Sequence, residues 1–302
     1  VEADESDGSF LNLSPYVALV TNVEADHLDH YVGGIEEIRE TFARFMSSVP
    51  DQGAIVACGE DSALVDLARS TGKRVVTYGF DASCDTRVLD YRTEGIATLF
   101  TLAFSDGLSV QCRLAKNPGR HNALNAAGVL SVIWALGEDV SRAAEGLAGY
   151  SGVRRRFDLV GEAAGVTVVD DYAHHPTEVA ATIEAAKALS FERVVVLFQP
   201  HRYTRTQTLA KEFAHAFDRA DALMVMDVYS AGEDPIEGVS GQTIVDCVNA
   251  LGDAGKAAYV PSKDETVEAV LDAVRPGDLL ITMGAGDITS FGPRIVRALE
   301  QR

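Results

Sequence analysis

From Gly152 to its last residues the chain alternates short apolar runs with helical patterns, without an internal sequence repeat. Strand-like runs fall near residues 165–169, 193–198, 221–226, 257–260 and 278–283. Helical patterns lie between them, near 177–189, 207–218, 241–250 and 264–274, with a last one near 287–300. Strand alternating with helix leaves little choice of fold: a largely parallel sheet covered by helices on both faces.

The first half is less regular. Residues 15–22 read as a buried strand. A helix from about Ile35 to Met46 follows, with Ile35, Ile38, Phe42, Phe45 and Met46 on one face. Residues 53–58 form a second apolar run, Asp61–Arg69 a short helix and Val75–Gly79 a strand. From Thr86 to Cys112 short segments alternate around polar turns such as Ser105–Gly107, which predicts a few antiparallel strands added to the sheet. Pro118–Asn122 opens an Ala-rich helix that runs to about Ala135, and another follows near Val140–Leu147. The change of rhythm places a domain boundary near Val153.

The 302 residues carry 26 Lys and Arg against 45 Asp and Glu, a formal charge of −19, and 47% of them are hydrophobic. That is enough apolar material for about two packed domains. The acidic balance argues against nucleic acid and anionic membranes as partners, because both are read by positive surface. It leaves room for anionic small molecules, which a few Arg side chains or a helix N-terminus can hold. No apolar run approaches the ~20 residues that cross a bilayer. Cys58, Cys84, Cys112 and Cys247 are widely spaced, with no C-x-x-C pair. The expectation is four small buried hydrophobes in a reducing, cytoplasmic compartment. The opening V-E-A-D-E-S-D-G-S-F has no initial Met and resembles neither a signal nor a transit peptide. It reads as the interior of a domain, so a fragment is expected.

Six polar constellations could carry chemistry. Asn22–Tyr31, N-V-E-A-D-H-L-D-H-Y, follows the first strand, and the carboxyl end of a parallel strand is where ligands bind. Asp26, His27, Asp29 and His30 offer metal-ligand or acid–base groups there. Glu2, Asp4, Glu5 and Asp7 offer the oxygen ligands that Mg²⁺ prefers. In R-H-N-A-L-N, His121 and Asn122 sit at a helix start, where free N–H groups favour anions. Asn122 and Asn125 share a helical face, and two amides can read a purine edge. Arg154–Asp158, R-R-R-F-D, puts three Arg at the domain junction, a type suited to forked binding of phosphate. Val168–Thr177, V-V-D-D-Y-A-H-H-P-T, gathers Asp170, Asp171, His174 and His175, with Pro176 at a favoured first-turn position. Phe198–Thr206, F-Q-P-H-R-Y-T-R-T, offers Arg202 and Arg205 to a carboxylate or phosphate. Each also has a plain structural reading as helix cap, salt-bridged hinge or solvated loop. The G-A-G-D of residues 284–287 lacks the third Gly of a dinucleotide fingerprint and reads as a tight turn. No G-x-x-x-x-G-K-[ST] phosphate loop occurs in the chain.

Taken in order, E-A-D-E-S-D-G-S-F, T-N-V-E-A-D-H-L-D, G-R-H-N-A-L-N, R-R-F-D, D-D-Y-A-H-H-P-T-E, F-Q-P-H-R-Y-T-R-T and G-A-G-D-I resemble the Mur ligase family. The likeness runs along essentially the whole chain. The first two motifs look more like the branch that adds L-alanine to UDP-N-acetylmuramate than the recycling branch that attaches a tripeptide. The resemblance implies an α/β protein in two parts. Residues 1–153 would be a central, mostly parallel-sheet domain of the Mur-ligase ATPase type, truncated at its N-terminal side and lacking its phosphate loop. Residues 154–302 would be a Rossmann-like C-terminal domain that binds the amino acid. It further implies ATP and Mg²⁺ as cofactors, and a cytoplasmic role in peptidoglycan precursor synthesis. In the family's chemistry the lactyl carboxylate attacks the γ-phosphate, and the amine of L-alanine displaces phosphate from the resulting acyl phosphate. Phosphorylation turns a poor leaving group into a good one, and fixed cations stabilise the charge that develops. Without the first domain and the phosphate loop, the fragment alone is expected to be inactive.

Carried over by motif, Glu2 and His27 match metal-binding positions, His27 next to the acyl-phosphate site. Asn122 and Asn125, with His121 beside them, match the adenine side of the nucleotide. Arg156 and Asp171 match residues that reach the nucleotide when the domains close. His174, Arg202 and Arg205 match the acyl end and the incoming amino-acid carboxylate. Two readings of other classes remain open. One is a metal-dependent phosphoesterase with a two-metal site built from D-H-L-D-H and D-D-Y-A-H-H. The other is a non-catalytic binding module formed by the second half alone.

Overall fold

A computed structural model of the chain describes residues 1–25, 30–150, 152–251 and 255–302. The chain divides into two compact units. One comprises Val1–Glu94, Thr98–Ala115 and Arg120–Tyr150; the other comprises Gly95–Ala97, Lys116–Gly119 and Ser151–Arg302.

The first unit is built on a six-stranded sheet in sequential order: β1 (Val17–Val20), β2 (Ala54–Cys58), β3 (Val75–Gly79), β4 (Thr86–Glu94), β5 (Ala97–Phe104) and β6 (Ser109–Leu114). Its helices are α1 (Ile35–Ser47), α2 (Ser62–Ser70), α3 (Arg120–Ala135) and α4 (Val140–Ala148). All of β2 is buried, as a parallel strand covered on both faces must be. Helix α1 buries Ile38, Phe45 and Met46 on the face that the apolar spacing predicts. Asp61 caps α2 by accepting from Leu64 N at 3.1 Å. Helix α3 comes close to the sheet at Gly128, where a Cβ would stand 2.9 Å from the Tyr78 ring and 3.0 Å from Leu19. The expectation of antiparallel strands over 86–112 holds for β5 with β6. Strand β4 also lies beside β5, joined to it through residues 95–96 alone as a hairpin, while its start pairs parallel with β3 through Tyr78↔Thr86 and Gly79↔Arg87. The cause of that parallel pairing is Asp85, whose carboxylate accepts from Thr77 N (2.8 Å) and Thr77 Oγ1 (2.9 Å) and ties the start of β4 to the end of β3.

The second unit has a six-stranded sheet in the order β11-β10-β9-β12-β8-β7. The strands are β7 (Asp158–Ala163), β8 (Val166–Asp171), β9 (Arg193–Phe198), β10 (Ala222–Val225), β11 (Ala257–Tyr259) and β12 (Asp278–Met283). All pairings are parallel except β7 with β8. The helices are α5 (Pro176–Lys187), α6 (Tyr203–Thr208), α7 (Ala210–Ala216), α8 (Gly241–Ala250), α9 (Thr266–Ala273) and α10 (Phe291–Leu299). One sheet face buries Val169, Val196, Phe198 and Ile281 with Ile183, Phe213 and Ile244. The other buries Val168, Leu197 and Leu280 with Val270, Ile295 and Leu299. Three local features differ from expectation. The edge strand β7 was not predicted; it reaches β8 through Ala164 and Gly165, both at positive φ (+51° and +77°), which is the two-residue hairpin turn that matches strand twist. The helix expected over 207–218 is two, α6 and α7, which meet at Leu209 (φ −108°, ψ 19°). The last helix opens with a 3-10 turn, Asp287–Ser290, before α10.

Candidate functional site

In the first unit the candidate groups lie in the N-terminal segment, after β1 and at the start of α3. His27, with Asp26 and Asp29, lies outside the described residues. The acidic opening is pinned by buried Tyr31, whose hydroxyl donates to Glu5 O at 2.5 Å. Burial, with Glu5 and Asp7 nearby, pushes the Tyr31 phenol above its ordinary value. Asp4 and Asp7 serve the backbone, accepting from Ser6 N (2.9 Å) and Ser9 N (2.8 Å). Glu2 is exposed. Among the described residues no three acidic, His or Cys groups converge as a ready metal cage. Mg²⁺ does not need one: it is commonly held by one or two carboxylates, with water and phosphate oxygens completing its shell. A lone exposed Glu2 fits as one such ligand.

At the start of α3, Arg120 lies flat on Phe80, its Cζ 3.3 Å from the ring centroid, and pairs with Glu60 at 3.0 Å. Glu60 also accepts from Phe80 N at 2.7 Å. This clamp fixes the first turn of the helix, and the polar pair behind it is His121 Nε2 with Asn122 Nδ2, 3.0 Å apart. Asn122 is half-buried and Asn125, one turn on, is exposed. The two amides share a face.

In the second unit the predicted loops after β8 and β9 come together with the turn after β12. Consecutive residues of β8 turn opposite ways. Asp170 is buried and accepts from Arg155 Nε (3.1 Å), Thr289 Oγ1 (2.9 Å) and Thr282 Oγ1 (2.7 Å). Arg155 also donates to Gly284 O at 2.6 Å and lies over the Tyr172 ring at 4.8 Å. Asp171 accepts from Phe157 N and Ala173 N, each at 2.8 Å. Burial raises its carboxyl to about 6, although both amides and Arg156 oppose the shift. Arg156 pairs with Glu178 at 3.5 Å.

Glu178 organises the start of α5. Its carboxylate accepts from His174 N (3.0 Å) and His175 N (3.2 Å), and the His174 ring stands 3.4 Å from it. His174 Nδ1 also lies 2.9 Å from Tyr172 O. Around His174 an aromatic chain forms: Tyr172 (5.2 Å), then His201 (5.6 Å), which is stacked on Tyr229 (5.7 Å, 14°). Burial, with His174, Arg205 and Arg202 nearby, drives the His201 imidazole down to about 4, so it is neutral at pH 7. Its Nδ1 is buried with no partner among the described residues. Arg202 opens α6 in a left-handed conformation (φ +70°), with Arg205 one turn on. Four Arg and two His thus line one end of this sheet in a chain of net charge −19.

Sequence reasoning selected Arg156, Asp171, His174, Arg202 and Arg205 here. Tyr172 and His201 carry no role in that reading although both lie inside the motifs, and Arg155 enters it only as one of three Arg suited to phosphate, whereas the structure commits it to Asp170. Tyr229, in the loop after β10, had no sequence signal beyond its place after a strand.

Two α/β units, each with polar loops at the carboxyl ends of parallel strands, define a tandem ligand-binding α/β protein. The comparisons narrow that class. Residues 2–133 match the Mur ligase middle domain and residues 155–286 the Mur ligase glutamate ligase domain. The chain belongs to the Mur ligase family. It is 47% identical over 310 residues to the UDP-N-acetylmuramate–L-alanine ligase of Thermobifida fusca, covering 99% of this chain and 64% of that protein. The crystal structure of the UDP-N-acetylmuramate–alanine ligase of Thermotoga maritima superposes with a TM-score of 0.79 at 28% identity, covering 99% of this chain and 63% of that one. The MurF ligase of T. maritima in complex with ADP shares the fold, with a TM-score of 0.74 at 20% identity over 95% of this chain and 63% of that one. The chain therefore spans a little under two thirds of these proteins.

Proposed function

We propose that the chain is the central and C-terminal part of an ATP-dependent ligase that joins L-alanine to UDP-N-acetylmuramate through an acyl phosphate, in peptidoglycan precursor synthesis. The observation that carries this reading is the 47% identity, along 99% of the chain, to an enzyme of that name. The geometry supports it. In the first unit, residues 1–153 in the proposed division, Asn122 and Asn125 with His121 would meet the nucleotide base. Glu2 would supply one oxygen to Mg²⁺, with His27 as the second proposed ligand. The metal would neutralise charge on phosphate oxygens. In the second unit, residues 154–302, Arg202 and Arg205 would hold the amino-acid carboxylate, since a carboxylate accepts a fork of N–H donors. His174 would stand at the acyl end with Glu178 fixing its loop. Arg156 would reach the nucleotide phosphates. Asp171, expected from the resemblance to reach the nucleotide, is buried with its two oxygens on Phe157 N and Ala173 N, and would instead hold the loop Tyr172–His175 in shape from beneath. Cys58, Cys84 and Cys112 are buried as the sequence leads one to expect, Cys247 is only partly so, and the proposed place of action is the cytoplasm.

The test is an assay of the full-length protein. Phosphate release from ATP with Mg²⁺ should require both UDP-N-acetylmuramate and L-alanine. Release without L-alanine would identify a hydrolase or another acceptor. No release under any condition would leave the binding-module reading.

A further inference from the structure

Gln199 is the first residue past β9, two before His201 and three before Arg202. It is 1% exposed, and both ends of its side-chain amide are engaged. Nε2 donates to Asp287 Oδ1 at 2.8 Å, and Oε1 accepts from Ile288 N at 3.1 Å. Its backbone N donates to Met283 O at 3.0 Å. The other oxygen of Asp287 takes Lys263 Nζ at 2.5 Å. The turn of residues 284–287 lies against this amide so closely that two glycines are required. A Cβ on Gly284 would stand 2.6 Å from Gln199 O. One on Gly286 would stand 2.4 Å from Gln199 Oε1 and 2.6 Å from Tyr229 Cγ.

Tyr229 passes this packing on to the cationic loop. Its ring stacks on His201, its N donates to Pro200 O (2.8 Å) and its O accepts from Arg202 N (2.9 Å). Arg202 is held at φ +70°, a conformation that a residue with a Cβ keeps only when its surroundings impose it. An apolar side chain could fill the place of Gln199, but it could not tell Asp287 from Ile288 N. The amide can, and so it selects one arrangement of the turn.

We propose that Gln199 and Asp287 are a positioning pair for the amino-acid end of the site: their hydrogen bond locks the turn after β12 to the loop after β9, and through Tyr229 sets the aim of His201, Arg202 and Arg205. The inference rests on the reading above that this unit receives the amino acid. Neither residue of the pair needs to touch the ligand.

The test uses the full-length protein. Gln199→Glu sets a carboxylate against that of Asp287 and removes the donor. Adding Asp287→Asn restores the bond with its polarity reversed, because the new amide donates and the new carboxylate still accepts from Ile288 N. The single variant should raise KM for L-alanine about tenfold or more, within the roughly 100-fold that a misplacement of about 1 Å can cause, and leave KM for ATP unchanged. The double variant should recover most of that loss. If the introduced charge unfolds the unit, Gln199→Met, apolar and of similar length, should give the same split between the two KM values. A second readout needs no turnover: the imidazole NMR signals of His201, which lie under the Tyr229 ring, should move in the single variant and return in the double. Unmoved His201 signals, or KM values for ATP and L-alanine that rise together, overturn the proposal. If the parent enzyme ignores L-alanine while the His201 signals still move and return, the functional reading falls and the positioning pair stands.

Discussion

Burial acts on two titratable groups of the second unit with opposite consequences for acid stability. The Asp171 carboxyl is raised from an ordinary value of 3.8 to about 6, mainly by desolvation. The folded state therefore binds this proton more tightly than the unfolded chain does. Stability linked to Asp171 is greatest below about pH 4 and is lost as pH rises toward 6. The His201 imidazole is lowered from 6.5 to about 4, again mainly by desolvation, with His174, Arg205 and Arg202 adding to the effect. Its stability is present above about pH 6.5 and is lost as pH falls toward 4. At about 1.4 kcal/mol per pH unit, Asp171 contributes about 3 kcal/mol over its window. His201, only half-buried and partly screened by solvent, contributes about 2–3 kcal/mol. The two largely cancel in the parent, and single variants should separate them. Relative to the parent, His201→Gln should gain about 2–3 kcal/mol as pH falls from 6.5 to 4. Asp171→Asn should lose about 3 kcal/mol between pH 6 and 4. Because each is compared with the parent at the same pH, the acid response of every other carboxylate drops out. The assay is urea unfolding by far-UV circular dichroism at pH 4, 5, 6 and 7. Fluorescence of the single tryptophan, Trp134, identifies the transition of the first unit. Differences that do not change with pH would refute the burial argument for that residue, and two slopes of the same sign would refute the opposition.

Two further predictions follow from the site. Arg155→Leu strands buried Asp170 with only the hydroxyls of Thr282 and Thr289, and should destabilise the second unit by about 3 kcal/mol. Adding Asp170→Asn should recover part of that loss; calorimetry would show it, and a double variant as unstable as the two singles combined would count against a coupled pair. Glu2→Ala and His27→Ala, each in the full-length protein, should lower turnover about 100-fold or more with little change in melting temperature. Near-normal turnover in both would remove the metal assignment.

The parallel strands were legible because burial on both faces forces an unbroken apolar run, as in β9 and β12. Strand β7 was not legible. It is an edge strand, mostly uncovered and with an irregularity between Leu159 and Gly161, and its turn is Ala-Gly rather than the Asn-Gly that signals a hairpin. The site was legible as windows and not as side chains. Strand ends after β8 and β9 had to carry the ligand-facing loops, whatever the details of packing. Within a window, direction is decided elsewhere. Asp170 and Asp171 are adjacent and chemically identical, yet alternation along β8 sends one to Thr282 and Thr289 and the other to the amides of Phe157 and Ala173. The same holds for Arg155 and Arg156: the first is committed to Asp170 and to Gly284 O, and the second is left at the surface beside Glu178. The choices made by Asp170 and Arg155 draw on Thr282, Thr289 and Gly284, all more than 100 residues away in the chain, which the sheet brings into register only after folding. Gln199 is the extreme case. Nothing in F-Q-P-H-R-Y-T-R-T distinguishes it from a solvated strand-end residue, and its meaning comes entirely from a turn 85 to 89 residues further on. A local motif can therefore name the loop that meets a ligand, while the residues that aim the loop become visible only in the sheet that joins distant segments.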